Sequence, residues 1–344
     1  MSVSEGMVFE NLDEYLSAIE LEMRNSMAVS EKALAPYYGM ISYHLGWVDE
    51  RFAPTEQEAG KRLRPLLCLL ACEACGGDWR KAVPAAAAIE LIHNFSLIHD
   101  DIEDNSPQRR HRPTVWSLWG QAQAINVGDG LFAISRLALQ RLADRGISPP
   151  KIVVAFRIVD QTCLYLTEGQ YLDLAFEKEE RVTVDMYLEM IGMKTGALMS
   201  CATQLGALIG TDDERVVESY AEFGYELGLL FQIVDDMLGI WGAGEATGKG
   251  VGEDIVSRKK SLPVIYALQH SDELRRIYRH ERMDEDQQRV VMQRLESLSA
   301  REYAREMAVK HLRLAVHTLA DTGVQNRAQE DLGRIAHFLL DRQH

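Results

Sequence analysis

Apolar residues along this chain recur at the spacing of helices, about 3.6 residues, and no segment keeps the strict alternation of a half-buried strand. The stretch from Gly192 to Ile209 is representative: Ala, Leu and other small or apolar residues fill it without alternation. Breaks fall at Gly76-Gly77-Asp78, at Gly146-Ile147-Ser148-Pro149-Pro150 and at Gly210-Thr211-Asp212-Asp213. A further break runs from Gly242 to Gly252, where five glycines in eleven residues exclude the interior of an element. These spacings predict about ten or more helices of roughly 15–30 residues and no strand, an all-α fold. No Pro- or Ser-rich linker divides the chain. One domain over residues 26–344 is expected, with residues 1–25 an acidic amphipathic extension.

Composition narrows the partners more than the fold. With 47% hydrophobic and 26% charged residues and only 9 Pro in 344, the balance is that of a globular chain. The formal net charge of −15 argues against nucleic acid or an anionic membrane as the main partner. No run approaches a membrane span, and the first fifteen residues lack the apolar core of a signal peptide, so a cytoplasmic location is expected. Of five cysteines, Cys68, Cys72 and Cys75 share one helical face with no histidine or fourth cysteine at ligand spacing. That pattern reads as core packing and not as a zinc site.

Against the acidic background, basic residues gather in Lys61-Arg62-Leu63-Arg64, Arg109-Arg110-His111-Arg112 and Arg258-Lys259-Lys260. Any one of these could be a solvated helix end; three together suggest anionic ligands. The densest acidic cluster, Asp100-Asp101-Ile102-Glu103-Asp104, precedes Arg109-Arg110 directly. Asp100 and Asp104 lie one helical turn apart, where like charges repel and a divalent cation would relieve them. Carboxylates suit Mg²⁺, which completes its shell with waters and phosphates, and Arg is shaped to grip phosphate oxygens. On an ideal wheel His93, Ser96, Asp100 and Asp104 fall within about 80° of one another. Such a stripe either faces solvent or lines a cavity, and its apolar neighbours Ile89, Leu91, Ile92, Phe95, Leu97 and Ile98 favour the cavity. A second pair, Asp235-Asp236, follows Phe231-Gln232 on another apolar helix that begins near Glu218, while Asp212-Asp213 reads as a turn.

Ten collinear motifs carry a resemblance. They are Gly60-Lys-Arg-Leu-Arg-Pro65, the run from His93 to Asp104, Arg109-Arg110, Pro113-Thr114, Gly128-Asp129, Glu168-Gly169-Gln170, Lys194-Thr195-Gly196, Phe231-Gln232-Ile-Val-Asp-Asp236, Gly248-Lys249 and Lys259-Lys-Ser-Leu-Pro263. In this order the sequence resembles the trans-polyprenyl diphosphate synthases, the head-to-tail isoprenyl transferases. The resemblance implies an isoprenoid-synthase-type helical bundle around a central cavity, usually a homodimer. It implies Mg²⁺-dependent condensation of isopentenyl diphosphate with an allylic diphosphate. Three Mg²⁺ ions would be held with substrate bound, by Asp100 and Asp104 facing Asp235, within the paired motifs that include Asp101 and Asp236. Arg109, Lys194 and Lys259 would hold the allylic diphosphate, and Lys61, Arg64, His93 and Arg110 isopentenyl diphosphate. Thr195, Gln232 and Lys249 would line the reacting centre with Lys194, and Gln170 with Asp173 would support the metal shell.

Some positions depart from the family. Its second motif usually reads DDxxD, yet here it is Asp235-Asp-Met-Leu-Gly239; His111 and Arg258 stand where glycine is common, and Ala59 where a second glycine is frequent. Phe95 and Ser96, in the turn before the first motif, lie where relatives build the floor of the product cavity. Bulk at Phe95 points to geranylgeranyl diphosphate (C20), with farnesyl (C15) or C25 and longer as alternatives. An ideal wheel nevertheless sets Phe95 about 140° from Asp100. A terpene cyclase would not need the isopentenyl pocket, and a non-catalytic partner subunit would not need an intact first motif.

Overall fold

The helical period is realised throughout the computed structural model, which describes residues 11–27, 32–55, 60, 62–242, 252–280 and 283–342. In chain order the helices are α1 (Leu12–Asn25), α2 (Ala35–His44), α3 (Leu63–Ala74), α4 (Trp79–Glu103), α5 (Val115–Trp119), α6 (Gln121–Gln140), α7 (Pro149–Lys178) and α8 (Val184–Ile191). They continue with α9 (Ala197–Gly210), α10 (Glu214–Trp241), α11 (Glu253–Val256), α12 (Leu262–His270), α13 (Asp272–Tyr278), α14 (Glu285–Ser297), α15 (Ala300–Asp321) and α16 (Arg327–Asp341). The expected breaks at 76–78, 146–150 and 210–213 fall between helices; residues 243–251 of the glycine-rich stretch lie outside the described residues.

The helix that carries the first aspartate motif runs through the middle of the molecule. Asp78 caps α4, its carboxylate accepting from the Arg80 N–H at 3.1 Å. Ala85 to Ala88 are fully buried, and these small side chains let α3, α6 and α9 pack around the rod. A helix apolar on nearly every side has nowhere else to go. The second motif lies on α10, which packs against α9 and α15 and is capped by Asp213, the Arg215 N–H donating to it at 3.0 Å. Asp212 pairs with Lys151 at 2.8 Å, so the pair read as a turn serves the helix start.

One continuous core reaches from Tyr15 to Leu339, and a smaller cluster from Ile240 to Ala300 gathers the helices after the glycine-rich stretch. Helix α1, within the segment expected to be an extension, contributes Tyr15, Ile19 and Met23 to the main core. Its buried Glu22 is fastened by Arg141 and by Arg145, the latter at 2.9 Å. Cys68 and Cys72 are buried and Cys75 half-buried, all as free thiols.

One element departs from the all-helical expectation. Gln108–Arg109 (β1) and Arg112–Pro113 (β2) pair antiparallel, with Arg109 opposite Arg112. Arg110 and His111 between them have φ of 51° and 59°, the two left-handed positions of a type I′ turn. Strands of two residues are too short to leave a period-two pattern, and Arg-His is not the Asn-Gly that such a turn favours.

Candidate active site

The last turn of α4 presents two carboxylates in different circumstances. Asp101 is buried and accepts from Arg109 Nε at 2.8 Å, because the hairpin folds Arg109 back over the helix end. Asp100, its neighbour, points elsewhere: burial pushes its carboxyl up to about 6, with Asp104 and Glu103 adding to the rise and Lys194 and Arg109 opposing it. Asp104 is raised for the same reason, burial first. Carboxylates whose charge is destabilised by burial and by one another are a donor set that a divalent cation relieves. Among the described residues no three His, Cys, Asp or Glu side chains converge on one point. The arrangement therefore suits a cation that takes one or two carboxylates and fills the rest of its shell from a ligand.

Lys194 and Thr195 sit on a π-turn, Gly192–Gly196, inserted between α8 and α9, a distortion that recurs at functional sites. Two glycines make room for it. A Cβ on Gly169 of α7 would stand 2.5 Å from the Lys194 nitrogen, and one on Gly228 of α10 2.5 Å from Gly196 Cα. The clamp aims Lys194 Nζ at Asp173 Oδ2, 2.6 Å away. Thr195 donates to Gln232 Oε1 at 2.9 Å, and Gln232 Nε2 donates to Asp236 Oδ1 at 3.2 Å.

The second aspartate pair divides as the first does. Asp236 is fully buried and accepts from the Tyr187 hydroxyl and from the Leu262 N–H at 3.0 Å, with Lys259 Nζ 3.8 Å away. Asp235 is exposed. Burial works against the charge on Lys259, yet Asp236, Asp254, Asp235 and Asp173 together hold its pKa above the ordinary value. Burial likewise opposes Lys194, which Asp173, Asp100 and Asp104 keep charged. Asp173 thus pairs with the lysine that faces the first motif, and its field reaches the lysine that faces the second. The adjacent Lys260 does different work: its Nζ binds the carbonyls of Phe176, Glu177 and Glu179 at 2.7, 3.1 and 2.6 Å and closes the end of α7.

Behind the first motif lies a cationic pocket. Arg64 Nη1 is 3.3 Å from His93 Nε2, and the Arg64 guanidinium lies over the Phe231 ring at 6.0 Å. Burial, then the fields of Arg64, Arg110 and Arg109, drives the His93 pKa well below its usual value. Gly60 leaves space for the Arg110 guanidinium: a Cβ there would be 2.6 Å from one of its nitrogens. The buried Arg64 Nε and Gln170 Oε1 have no partner among the described residues, while Gln170 Nε2 donates to Glu103 at 2.7 Å.

The fold therefore brings together Arg64, His93, Asp100, Asp101, Asp104, Arg109, Arg110, Gln170, Lys194, Thr195, Gln232, Asp235, Asp236 and Lys259. Lys61 and Lys249 lie outside the described residues. Phe95 turns away from the carboxylates; its ring packs edge-on against Phe132 of α6, centroids 5.2 Å apart, and against His99. Ser96 donates to the His93 carbonyl at 2.9 Å. Sequence reasoning missed His44, which joins the cationic pocket, Tyr187, which holds Asp236, and Arg342, whose guanidinium lies 5.5 Å over Phe231 and feels Asp235. None belongs to a local motif, so no signal in the sequence marks them.

Two carboxylate-bearing helices with lysines set against them, beside a cationic pocket in a helical bundle, define a site for metal-bound, anionic ligands. A family model described as polyprenyl synthetase matches residues 46–295. The (2E,6E)-farnesyl diphosphate synthase of Mycobacterium tuberculosis is 39% identical over 312 residues, covering 88% of this chain and 86% of that protein. The geranylgeranyl diphosphate synthase of the same organism is 44% identical over 243 residues, 71% of this chain and 68% of its own. A crystal structure of polyprenyl synthetase from Streptomyces coelicolor A3(2) superposes with a TM-score of 0.87 at 36% identity, covering 95% of this chain and 98% of that one. This chain belongs to the trans-polyprenyl diphosphate synthase family and is a short-chain prenyltransferase with the isoprenoid-synthase fold.

Proposed function

We propose that the protein condenses isopentenyl diphosphate with an allylic diphosphate, in the presence of Mg²⁺, to make geranylgeranyl diphosphate (C20). The observation that carries the reading is a lysine set against each aspartate motif: Lys194, paired with Asp173 at 2.6 Å and in the field of Asp100 and Asp104, and Lys259, 3.8 Å from Asp236 and in the field of Asp235. Asp100, Asp104 and Asp235 are the proposed metal ligands. Asp101 and Asp236, counted with them from the sequence, have oxygens already engaged and act as anchors for Arg109 and Lys259. Three Mg²⁺ ions, when bound, would neutralise charge on the departing diphosphate.

The chain's own residues do the rest. Lys194, Arg109 and Lys259 orient the allylic diphosphate and stabilise the charge it gains as the C–O bond breaks. Arg64, His93 and Arg110 hold isopentenyl diphosphate so that its double bond meets the allylic cation, replacing a bimolecular encounter. By motif Lys61 joins the residues that hold isopentenyl diphosphate, and Lys249 lines the reacting centre. Thr195 and Gln232, hydrogen-bonded to each other, border the reacting carbon, and Gln170 with Asp173 steadies the metal shell. The departing diphosphate accepts the final proton.

Phe95, pinned against Phe132, supports a short cavity and hence the C20 product. The relatives' names include both farnesyl and geranylgeranyl synthases. Residues 26–344, with α1 packed into their core, would act as one catalytic domain and pair as a homodimer. Among the described residues no helix is long and apolar enough to cross a membrane.

The test is an assay with Mg²⁺, labelled isopentenyl diphosphate and each allylic starter in turn, with products sized after dephosphorylation. A C20 alcohol from every starter is expected, and Phe95→Ala should lengthen it. Release of diphosphate from an allylic substrate alone would indicate a cyclase and overturn the reading, as would C15 as the sole product for its chain-length part.

A further inference from the structure

Helix α10 carries Asp235 exposed and Asp236 buried, and one turn further on, at position 239, it has no side chain at all. Regular helical backbone does not call for glycine there; space does. A Cβ built on Gly239 would lie 2.5 Å from Asp254 Cγ and 2.9 Å from its Oδ1. Real Cβ atoms do not come so close, so any side chain at 239 must displace the Asp254 carboxylate. Residues four apart share a helix face, with Cβ atoms roughly 5–6 Å apart. The carboxylate of Asp254 therefore stands on the Asp235 face of α10, about one turn beyond Asp235, although it belongs to α11.

Its approach is anchored by the backbone. The Asp254 carbonyl accepts from the Lys259 N–H at 2.8 Å and from the Ser257 hydroxyl at 3.3 Å, which fixes α11 to the segment that delivers Lys259. The Asp254 side chain is buried, and Lys259, Tyr187 and Tyr278 all feel its charge. Burying a carboxylate is costly unless it is compensated. Part of the compensation comes from the lysine that also faces Asp235 and Asp236. Asp254 is thus built into the second aspartate motif in space, though fifteen or more residues away from it in sequence.

We propose that Asp254 is the third carboxylate of the α10 motif, delivered by α11 into the place left open by Gly239, where it positions Asp235 and Lys259 for the metal-bound diphosphate. The proposal rests on the reading of the protein as a Mg²⁺-dependent synthase. Asp254 is a positioning residue: it acts through Asp235 and Lys259, and Gly239 and Asp254 form one coupled unit.

The test is a reciprocal exchange. Asp254→Asn keeps the shape and removes the charge; the Mg²⁺ concentration for half-maximal condensation should rise about 10-fold or more. The rise in unfolding temperature given by Mg²⁺ with inorganic diphosphate should shrink in parallel. Gly239→Asp alone forces two carboxylates into one space and should impair both readouts. Gly239→Asp combined with Asp254→Gly moves the carboxylate onto α10 and should restore both toward the unmodified protein, a coupling that additive effects cannot produce. An Asp254→Asn protein that titrates Mg²⁺ as the unmodified one does would overturn the proposal, and so would a double variant no better than its parents. Failure of the underlying reading looks different: the unmodified protein would itself make no prenyl product and gain nothing from Mg²⁺ with diphosphate.

Discussion

His44 and His93 share their surroundings with Arg64, Arg109, Arg110 and Arg112, and both respond by giving up their protons. Burial, then Arg109, Arg110 and Arg112, pulls the His44 pKa down to about 3. The unfolded chain protonates such a histidine near pH 6.5, so the folded state binds fewer protons between the two values. Stability from His44 is therefore present above about 6.5 and lost as pH falls toward 3, by at most about 1.4 kcal/mol per pH unit. Thermal unfolding without ligand, from about pH 7 to about pH 4.5, should show a shallower loss for His44→Gln than for the unmodified protein; parallel curves would refute this. Residues of this kind mark the limit of the sequence. Asp100, Asp104, Arg64 and Lys194 were legible because motif neighbours announce them. His44, Tyr187 and Asp254 act through contacts made across the fold, which leave no local trace. The helical wheel set Asp100 and Asp104 apart from Asp101, but what Asp101 and Asp236 do instead, accepting from Arg109 and from Tyr187, is decided by what packs against them.

At the scale of elements, helix positions were legible and their edges less so. The helix expected from Ala85 begins at Trp79, and that expected near Glu218 begins at Glu214. In both cases an aspartate read as part of a turn proved to be the cap. The π-turn was invisible, since it uses the same residues as an α-helix and is imposed by the tight approach of α7 and α10. That origin makes it testable. Gly169→Ala places a methyl against the Lys194 backbone, which should cost about 1–3 kcal/mol of stability. Condensation should fall by about 10²-fold, because a displacement near 1 Å is enough to misplace Lys194. Calorimetry and steady-state kinetics on one preparation check both, and an alanine tolerated in both would show that the π-turn does not need this clearance. The hairpin offers the converse case: His111→Gly relieves a left-handed residue that costs roughly 1–2 kcal/mol, partly offset by glycine's chain entropy, so a small rise in unfolding temperature is expected.

At the scale of the molecule, periodicity alone was enough for the all-α class, because helices that bury most of their surface write their spacing along the whole chain. Assembly was not legible in the same way. Ile125, Phe132 and Leu137 on α6 and Leu164, Tyr165 and Tyr171 on α7 are all exposed, a concentration of large apolar side chains on neighbouring helices. If this face pairs two copies, light scattering should give twice the chain mass, and Leu137→Glu with Leu164→Glu should halve it while the helical spectrum persists. A monomeric unmodified protein would rule the pairing out. The net charge of −15 poses a separate question, since both substrates are polyanions approaching an anion. Asp173 answers it. By occupying Lys194 before any ligand arrives, it behaves as a resident counterion, as Asp236 does beside Lys259, and capture of an anionic ligand becomes an exchange of one anion for another. The site then keeps its cations aligned while empty, and ligand affinity should depend less steeply on salt than the number of its lysines and arginines would suggest.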